Sequence, residues 1–445
     1  MNYTGKKVLI ITYYWPPSGG AGVQRWLKFV KYLRQFGWDP IVYTPENNEI
    51  PVYDASLEKD IPDDITILKK HIWEPYTIYK RFIGAKKEEK FNVGGFISES
   101  KNYGLRDNIS TFIRGNLFIP DARKFWIRPS VRFLSRYFKN NAPDLLITTG
   151  PPHSMHLIGL KLRKKLQIPW IADFRDPWTR FYQYHDMLIS KWADKKHKSL
   201  ERKVLQTADR VITVGWTIKA ELEQLGADKP LVITNGYDEQ DFEHVPAIEN
   251  QRFSIVHTGN ISRSKNTLIF WKAIAELVQE NKSFSYDLEI RLAGKLDYTV
   301  HKAISDLHLE SYVEKLGYQD HTEAIKEQKH ATILLLMTSN TPYSQGAIPG
   351  RLFEYLAARR PIMAIANPNS DLAKIIHETQ AGSVINYDHK DNLKSAIIRF
   401  YNQYKKGEMS IQSGGREKFS RKNLTAQLVG ILDDLIRGRD LKTNA

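Results

Sequence analysis

Residues 331–367, ATILLLMTSNTPYSQGAIPGRLFEYLAARRPIMAIAN, decide the fold of this chain. A continuous apolar run opens the stretch, a polar loop and a helical pattern follow, and a second apolar run closes it. The run ILLLM is apolar on both faces of a strand, as expected when helices cover both sides of a parallel sheet. The stretch therefore predicts a strand–helix–strand unit of an α/β domain.

Similar short runs recur along the chain and fall into two sets, separated by helical patterns. The first set is KVLIITYY (7–14), DPIVYTP (39–45), DLLITTG (144–150), PWIADF (169–174) and RVITVG (210–215). The second set, besides ATILLLMT and PIMAIAN, is FSIVHTG (253–259), LEIRLAG (288–294) and GSVINY (382–387). Two doubly wound, Rossmann-like α/β domains are the simplest prediction.

We predict domains at residues 1–245 and 246–415, followed by a C-terminal helix and tail at 416–445. The boundary is placed where the strand pattern LVITNG gives way to a polar, acidic segment. The tail predicts an amphipathic helix because apolar residues recur at helical spacing. These residues are Leu424, Leu428, Ile431, Leu432 and Leu435.

Composition excludes several classes of protein. The 445 residues are 42% hydrophobic and 26% charged, as in ordinary globular proteins, and the absence of Cys excludes disulfides, thiolate nucleophiles and Cys-ligated metals. The N-terminal apolar run is too short for a signal peptide, and no transmembrane segment is expected. A cytoplasmic protein is therefore the expectation. The net charge of +15 favours anionic ligands without choosing among nucleic acid, lipid surfaces and phosphorylated small molecules.

The segment 71–140 interrupts the first predicted domain and is rich in basic and aromatic residues. It carries 14 Lys or Arg against 6 Asp or Glu, about half of the chain's excess positive charge. One interpretation is peripheral contact with an anionic membrane, at the inner face of the plasma membrane, through lysines between Lys80 and Lys90. The alternative is a solvated helical face with aromatic side chains in the core.

A glycine-rich loop follows the first predicted strand. Gly19 and Gly20 precede a helical pattern, and bare amides at a helix start suit a phosphate or the polar face of a sugar. The loop matches neither the G-x-G-x-x-G nor the Walker A pattern, which disfavours a dinucleotide or P-loop site. A tight turn without a ligand is the alternative.

Two cations and a carboxylate mark the second domain. Arg263 and Lys265 follow the strand that ends at Gly259, where they can clamp a diphosphate, unless they are ordinary surface cations. Glu354 lies in the first turns of a predicted helix and can accept hydrogen bonds from the vicinal hydroxyls of a ribose. Its alternative is a surface glutamate favoured by the helix dipole.

Polar residues also follow two strands of the first domain, at the edge where doubly wound domains bind ligands. His156 can bond a sugar hydroxyl, and Asp173 can orient an acceptor hydroxyl. His153, Arg175 and Asp176 are candidates for acceptor binding. Alternatively, His156 packs on its helix, and Arg175 and Asp176 form an ion pair. The two histidines complete no metal site, and none is predicted.

The order of these motifs resembles the GT-B glycosyltransferases, specifically the retaining family 4 enzymes of bacterial polysaccharide synthesis. The resemblance rests on the Gly-Gly loop, the Gly-Asn turn before Arg263 and Lys265, and P-x-R-x-x-E-Y-L-A before Pro-Ile. It implies two domains that face a cleft, with Gly19 and Gly20 lining it. It further implies that a donor diphosphate and ribose contact the second domain, at Gly259, Arg263, Lys265, Pro349, Gly350, Arg351 and Glu354.

One position departs from the family pattern. Such enzymes often carry E-x7-E, but the residue eight before Glu354 is Gly346, so the carboxylate normally near the donor sugar or its phosphate is missing. Arg351 also stands where lysine is frequent, which keeps the charge but changes hydrogen-bond geometry. The identity of the sugar is correspondingly harder to infer.

The resemblance implies a metal-independent, hexosyl-type transferase without a cofactor, for which a UDP- or GDP-sugar is a co-substrate. The expected acceptor is a glycan, a lipid-linked molecule or a small molecule, and nucleic acid is not an expected partner. Two alternatives stay open. One is a sugar-nucleotide epimerase or hydrolase of the same fold, and the other is a non-enzymatic polyanion-binding protein.

Overall fold

The computed structural model describes residues 5–48, 53–74, 105–181, 184, 187–243, 245–246, 251–409 and 414–443. These residues form two compact units. The first is Met1–Thr234 with Leu424–Ala445, and the second is Asn235–Asn423. The predicted boundary at 245 thus lies about ten residues beyond the division. Lys80–Lys90 and their neighbours in the predicted basic segment lie outside the described residues.

The first unit is a parallel sheet covered by helices. Its strands are β1 (Lys6–Ile11), β2 (Trp38–Pro45), β3 (Thr66–Lys70), β4 (Leu145–Gly150), β5 (Trp170–Phe174), β6 (Arg210–Thr213) and β7 (Leu231–Val232). Its helices are α1 (Ala21–Leu33), α2 (Leu105–Leu117), α3 (Lys124–Tyr137), α4 (Ser154–Leu166), α5 (Lys191–Thr207) and α6 (Trp216–Gln224). The strand order is β3-β2-β1-β4-β5-β6-β7, with every pairing parallel.

Both faces of this first sheet are buried, as the continuous apolar runs predict. Leu9 and Ile11 of β1 lie in one core, and Val8 and Ile10 lie in the core on the opposite face. Successive side chains of a strand point to opposite faces, so a strand apolar at every position requires helices on both sides. This arrangement confirms the predicted doubly wound architecture.

The second unit repeats the plan with six described strands. These are β8 (Phe253–Thr258), β9 (Leu288–Ala293), β10 (Val313–Gly317), β11 (Ile333–Met337), β12 (Ile362–Ile365) and β13 (Gly382–Ile385), in the order β10-β9-β8-β11-β12-β13. The helices are α7 (Gln240–Glu243), α8 (Leu268–Glu280), α9 (Lys282–Asp287), α10 (Tyr298–Asp306), α11 (His321–His330), α12 (Gly350–Ala358), α13 (Asp371–Thr379) and α14 (Lys390–Lys405). All strand pairings are parallel.

The last helix, α15 (Arg421–Thr443), buries one face through the leucines whose spacing predicts it. Leu424, Leu428 and Leu432 are buried in the core of the first unit, so the end of the chain completes the N-terminal domain. Asp433 on the same helix accepts hydrogen bonds from Lys6 and from the Trp38 indole. Among the helices that the structure describes, none combines the length and apolar character needed to cross a bilayer.

Candidate functional site

The carboxyl edge of the second sheet opens between β8 and β11. These strands pair only through Ile255–Ile333 and Val256–Leu334, so they part beyond that point. The strand order also reverses here, because β9 and β10 lie on one side of β8 while β12 and β13 lie beyond β11. Doubly wound domains bind ligands outside the carboxyl ends of their strands at such a reversal. The loops after β8 and β11 are therefore where a ligand site is expected.

Glu354 lies at this edge, with one carboxylate oxygen engaged. Its Oε2 accepts a hydrogen bond from Arg351 Nη1, one helical turn earlier, and another from Gln328 Nε2 at 2.9 Å. No described residue donates to Oε1. Burial acts to lower the Arg351 pKa, but Glu354, together with Tyr355 and Tyr318, acts in the opposite direction, and the Arg351 pKa is raised. The carboxylate is thus held in place while its second oxygen stays available to a ligand.

A buried hydrogen-bond network fixes the helix that carries Glu354. Gln328 Nε2 also donates to Thr258 Oγ1 at 2.9 Å, and the Tyr355 hydroxyl accepts from the Thr258 amide at 3.0 Å. The same hydroxyl donates to the Leu335 carbonyl, which the parting strands leave free for a side chain. The network ties α11, α12, β8 and β11 together, so Glu354 sits on rigid elements.

Lys265 is a half-buried cation without an ionic partner among the described residues. Burial lowers its pKa, and the positive charge of Arg351 lowers it further. Arg263 is exposed and lies close enough to Asp297 to lower the pKa of that carboxyl, which is set first by hydrogen bonds from Thr299. A half-buried lysine beside an arginine, without an ionic partner of its own among the described residues, favours an anionic ligand.

Serine hydroxyls join the two loops that follow β8 and β11. Ser264 Oγ lies 3.1 Å from Ser262 Oγ and 3.0 Å from Ser339 Oγ. Ser262, Ser264 and Ser339 therefore present hydroxyls beside Lys265, at the edge where the strands part. Sequence reasoning did not single them out.

Close backbone approach explains two glycines at this edge. Gly259 has φ of +122°, and a Cβ there would lie 3.4 Å from Arg351 Nε. Gly294 has φ of +135°, and its Cβ would meet the Gly259 carbonyl oxygen at 2.3 Å. Only glycine adopts such angles without strain. Gly259 therefore leaves room beside Arg351, as its predicted place in a ligand site requires.

Helix α12 begins at the same edge with free backbone amides. Pro349 is its N-cap residue, Gly350 is its first residue, and no acidic side chain occupies its first turn. The positive end of the helix dipole and the Arg351 guanidinium thus act on one region. The structure brings Gly259, Lys265, Pro349, Gly350, Arg351 and Glu354 together around the edge between β8 and β11.

In the first unit, the glycine-rich loop follows β1, at the reversal of strand order between β1 and β4. Gly20 has φ of +95°, is exposed and is the N-cap residue of α1. Gly19 precedes it and is partly buried. The loop is therefore at the carboxyl edge of the sheet, as predicted.

Arg175 donates its hydrogen bonds to backbone carbonyls and not to a carboxylate. Its guanidinium donates to Gly22 O at 2.9 Å, to Gly150 O at 3.3 Å and to Pro151 O. Burial lowers the Arg175 pKa. It forms no ion pair with Asp176 among the described contacts, so the alternative of a simple Arg175–Asp176 pair does not describe this side chain. Arg175 joins the start of α1 to the loop after β4.

His153 and His156 converge on Gly150. His156 Nε2 would lie 2.7 Å, and His153 Nδ1 3.1 Å, from a Cβ on Gly150, and neither nitrogen has a hydrogen-bond partner within the part of the chain that the structure describes. Thr148 Oγ1 accepts from the Trp170 indole and forms a second hydrogen bond, of 2.9 Å, with His156 Nδ1. Burial lowers the His156 pKa to about 3, which favours the neutral ring.

Asp173 is fully buried and its carboxylate is saturated. It accepts from Arg25 Nε and Nη2 at 3.2 and 3.1 Å, from the Trp26 indole at 2.7 Å and from Thr149 Oγ1 at 2.9 Å. Arg25 is also fully buried, and its Nη1 donates to the carbonyls of Ile233 and Thr234. No lone pair directed at a ligand is evident. The sequence analysis did not identify Arg25 and Trp26 as partners of Asp173. The only signal in the sequence is that the charged Arg25 adjoins apolar residues of α1.

Asp176 is the half-buried carboxylate of the first site that bonds to no described residue. Burial raises its pKa, although Arg175 acts in the opposite direction. It lies at the end of β5, two residues beyond Phe174. Within the described residues, no group of three or more His, Asp or Glu side chains is arranged to hold a metal ion.

Comparison with protein families identifies the chain. Residues 96–241 match the model of Glycosyltransferase Family 4, and residues 252–403 match that of Glycosyl transferases group 1. Together these matches cover about two thirds of the sequence. The chain belongs to the family 4 glycosyltransferases. The two matched ranges include His153 to Asp176 and Gly259 to Glu354, respectively, whereas Gly19 and Gly20 of this glycosyltransferase precede the first of them.

Solved structures with the same fold span nearly the whole glycosyltransferase. HepE from Anabaena, in complex with UDP and glucose, is 14% identical with a TM-score of 0.59, covering 96% of this chain and 100% of its own. Sucrose-phosphate synthase from Thermosynechococcus elongatus is 14% identical with a TM-score of 0.58, covering 97% and 100%. These likenesses confirm two Rossmann-like domains of the GT-B type.

An enzyme of a different reaction class shares this fold. A putative UDP-N-acetylglucosamine 2-epimerase from Listeria monocytogenes is 11% identical with a TM-score of 0.55, covering 96% of this chain and 95% of its own. The fold alone therefore does not separate transfer from epimerisation. Comparison with curated protein sequences gives no significant match.

Proposed function

We propose that this glycosyltransferase transfers a hexosyl group from a UDP- or GDP-sugar to a glycan, lipid-linked or small-molecule acceptor in cell-surface polysaccharide synthesis. The second unit binds the donor and the first binds the acceptor. The observation that carries the proposal is a lysine without an ionic partner among the described residues, next to an Arg351–Glu354 pair whose carboxylate is half free, at the edge between β8 and β11. Lys265 and Arg351 suit a diphosphate, and Glu354 Oε1 suits a ribose hydroxyl.

Glu354→Gln tests the donor site. The amide offers a weaker acceptor to the ribose and removes the charge that holds Arg351, so donor affinity is expected to fall about 10–100-fold. Titration calorimetry with UDP, GDP and their sugars measures this. Glu280→Gln, at an exposed carboxylate on α8, is the matched control and should bind as wild type does. Equal affinity of the Glu354 and Glu280 variants would contradict the proposed ribose contact.

The acceptor site uses the first unit. His156 Nε2 has no partner among the described residues and is suited to a hydrogen bond with a sugar hydroxyl, and Asp176 is a carboxylate suited to orienting the acceptor hydroxyl. The sequence analysis assigned Arg175 to acceptor binding and Asp173 to orienting the acceptor hydroxyl, and we revise both roles. We assign both to positioning, because their polar atoms are engaged with backbone and side-chain groups of the first unit.

The transfer is proposed to retain the anomeric configuration and to need no metal. As the diphosphate departs, Lys265, Arg351 and the amides at the start of α12 stabilise its growing negative charge. The departing phosphate then takes the acceptor proton on the same face of the sugar. Arg263 is exposed on the same loop and adds a positive charge near the leaving group.

The same assay separates transfer from the epimerase or hydrolase alternative. A labelled nucleotide sugar is incubated with candidate acceptors in the presence of EDTA, and the products are resolved. Label in a larger or lipid-linked product, with the donor's anomeric configuration, supports a retaining transferase that needs no metal. Labelled free sugar or an epimerised nucleotide sugar in every mixture would support the alternative.

A basic helix face supports membrane contact at the cytoplasmic face of the plasma membrane. Exposed cations recur on α5 at helical spacing, namely Lys191, Lys195, Lys198 and Arg202, with Lys196 and Lys203 beside them. Trp192 (67% exposed) adjoins them, with Leu188 (50%), Leu117 (58%) and Phe112 (47%). Asn116 bonds both the Leu188 carbonyl and the Ser190 amide, so α2 and the start of α5 adjoin. We name these residues the α5 surface.

Charge removal tests the α5 surface. Each Lys or Arg near anionic headgroups contributes about 1 kcal/mol, so the variant Lys191→Gln/Lys195→Gln/Arg202→Gln should bind anionic liposomes roughly 100-fold more weakly at low salt. Co-sedimentation with phosphatidylglycerol vesicles measures this. Lys272→Gln/Lys282→Gln/Lys315→Gln carries the same charge change on exposed positions of the second unit and should bind normally. Equal binding of both variants would contradict the proposal.

A further inference from the structure

His257 is a buried histidine at the point where β8 and β11 part. It is the next-to-last residue of β8 and is 4% exposed. The last β8–β11 pair is Val256–Leu334, one residue before it, so its ring fills the space that opens between the strands. It forms no part of the contacts described above for Glu354.

Its hydrogen bond fixes the position of the ring proton. His257 Nδ1 lies 2.9 Å from the Leu335 carbonyl oxygen, which can only accept, so Nδ1 carries the proton. Nε2 of the neutral ring is then a bare lone pair. That atom is buried, and although the Gly259 backbone lies near the ring, no described residue makes a hydrogen bond of good geometry to it. A buried polar atom without a partner is costly unless a ligand completes it.

His257 Nε2 lies beside the region assigned to the donor diphosphate. A Cβ on Gly259 would lie 3.9 Å from His257 Nε2 and 3.4 Å from Arg351 Nε, so both side chains adjoin this glycine. The groups that act on the ring are Lys265 on the loop after β8, Arg351 on α12, and the backbone of Leu335 and Gly259. Arg351 is paired with Glu354, whereas Lys265 has no ionic partner among the described residues. The ring therefore faces a net positive charge.

Burial lowers the His257 pKa to about 4, with a further lowering by Lys265 and Arg351. A diphosphate bound between these cations adds two negative charges to the same region. The local potential then changes sign, and the charged form of the imidazole becomes favoured. Protonation on binding also converts the orphan lone pair into an N–H donor.

We propose that His257 is a phosphate ligand that becomes charged only when the donor is bound: Nε2 takes a proton from solvent and donates it in a hydrogen bond to a phosphate oxygen. This inference rests on the proposed function of the second unit. The step adds one proton to the complex and breaks no covalent bond of the donor. His257 thus adds a further positive charge beside the leaving group only in the loaded enzyme.

The linkage gives a definite sign. The pKa of His257 is higher in the complex than in the free unit, so between the two pKa values the complex holds one more proton than its parts. Between these two pKa values, donor affinity therefore falls about tenfold for each pH unit of increase. Above the pKa of the complex the affinity becomes independent of pH again.

Calorimetry of the full chain tests this with UDP-glucose and GDP-mannose, whose diphosphates carry no group that titrates near neutral pH. Binding enthalpies at pH 6.5 are compared in PIPES and Bis-Tris, which both buffer at this pH but differ in ionisation enthalpy, so the difference in binding enthalpy reports the protons taken up. Uptake of about one proton per bound donor is expected. His377→Gln, at an exposed histidine on α13, is the matched control and should keep that uptake.

Two substitutions divide the roles of the ring nitrogens. His257→Asn keeps a donor for the Leu335 carbonyl but has nothing at Nε2, so donor affinity should fall about tenfold and proton uptake should vanish. His257→Gln places a permanent amide near Nε2, so affinity should recover while its pH dependence is lost. Thermal unfolding of both variants separates these effects from misfolding.

The outcomes also separate this inference from the proposed function. Donor binding without proton uptake, with His257→Asn binding as wild type does, would overturn the role of His257 and leave the donor site intact. Loss of affinity in His257→Asn without proton uptake in the wild type would overturn the proton step, since the lone pair would then accept from a donor hydroxyl. No binding of either nucleotide sugar to the wild type would overturn both.

Discussion

Lys265→Met is expected to lower kcat/KM about 10²–10³-fold, because it removes a charge that stabilises the departing diphosphate. The ammonium is half-buried beside Arg351 and lacks an ionic partner among the described residues. The Lys265 ammonium can therefore contact the negatively charged diphosphate without first breaking another ion pair. Initial rates at varied donor concentration measure the effect. The loss should appear in kcat as well as KM, since charge on the leaving group grows in the transition state.

The stability of Lys265→Met distinguishes a binding role from a structural one. Burial and Arg351 lower the Lys265 pKa, so the charged form is disfavoured in the free protein. Removing it should leave the melting temperature unchanged or raise it. Lys272→Met, at an exposed lysine on α8, should retain full activity. A Lys265→Met protein that keeps its activity, or that loses it only by unfolding, would contradict a role at the leaving group.

The central strands could be predicted from the sequence, because a strand buried on both faces leaves a continuous apolar run, but their order in each sheet was not predicted. The edge strands β3 and β10 leave no such signal. TILKK of β3 and VEKLG of β10 are mostly exposed or half-exposed, and neither was predicted. The partner of the last helix was also beyond the sequence, since leucine spacing predicts a buried face but not which core receives it.

The candidate site shows the same division between local and tertiary information. Gly259, Lys265, Arg351 and Glu354 could be picked out because their spacing relative to strands and helices is local. Gln328 and His257 could not, because their roles depend on strands and helices brought together by folding. The position of Asp173 near the end of a strand likewise suggested that it faces a ligand. In the structure, its carboxylate instead accepts hydrogen bonds from side chains of α1 and β4.

Asp173→Asn is expected to lower the free energy of unfolding of the first unit by about 3–5 kcal/mol. The Arg25–Asp173 pair is fully buried, and removing one partner leaves the other charge uncompensated in the interior. The loss should be large because the Arg25 guanidinium also holds the carbonyls of Ile233 and Thr234, so it cannot turn to water without releasing them. Urea unfolding followed by tryptophan fluorescence measures the change, since the Trp26 indole bonds to Asp173.

The double variant Arg25→Met/Asp173→Leu distinguishes a structural ion pair from a catalytic carboxylate. Replacing both charges with apolar groups removes the uncompensated charge, so much of the lost stability should return, and the non-additivity measures the coupling of the pair. If Asp173 only positions α1 against β4 and β5, the residual activity of Asp173→Asn should follow its folded fraction. A folded Asp173→Asn protein of native stability but without transferase activity would instead assign the carboxylate to the reaction.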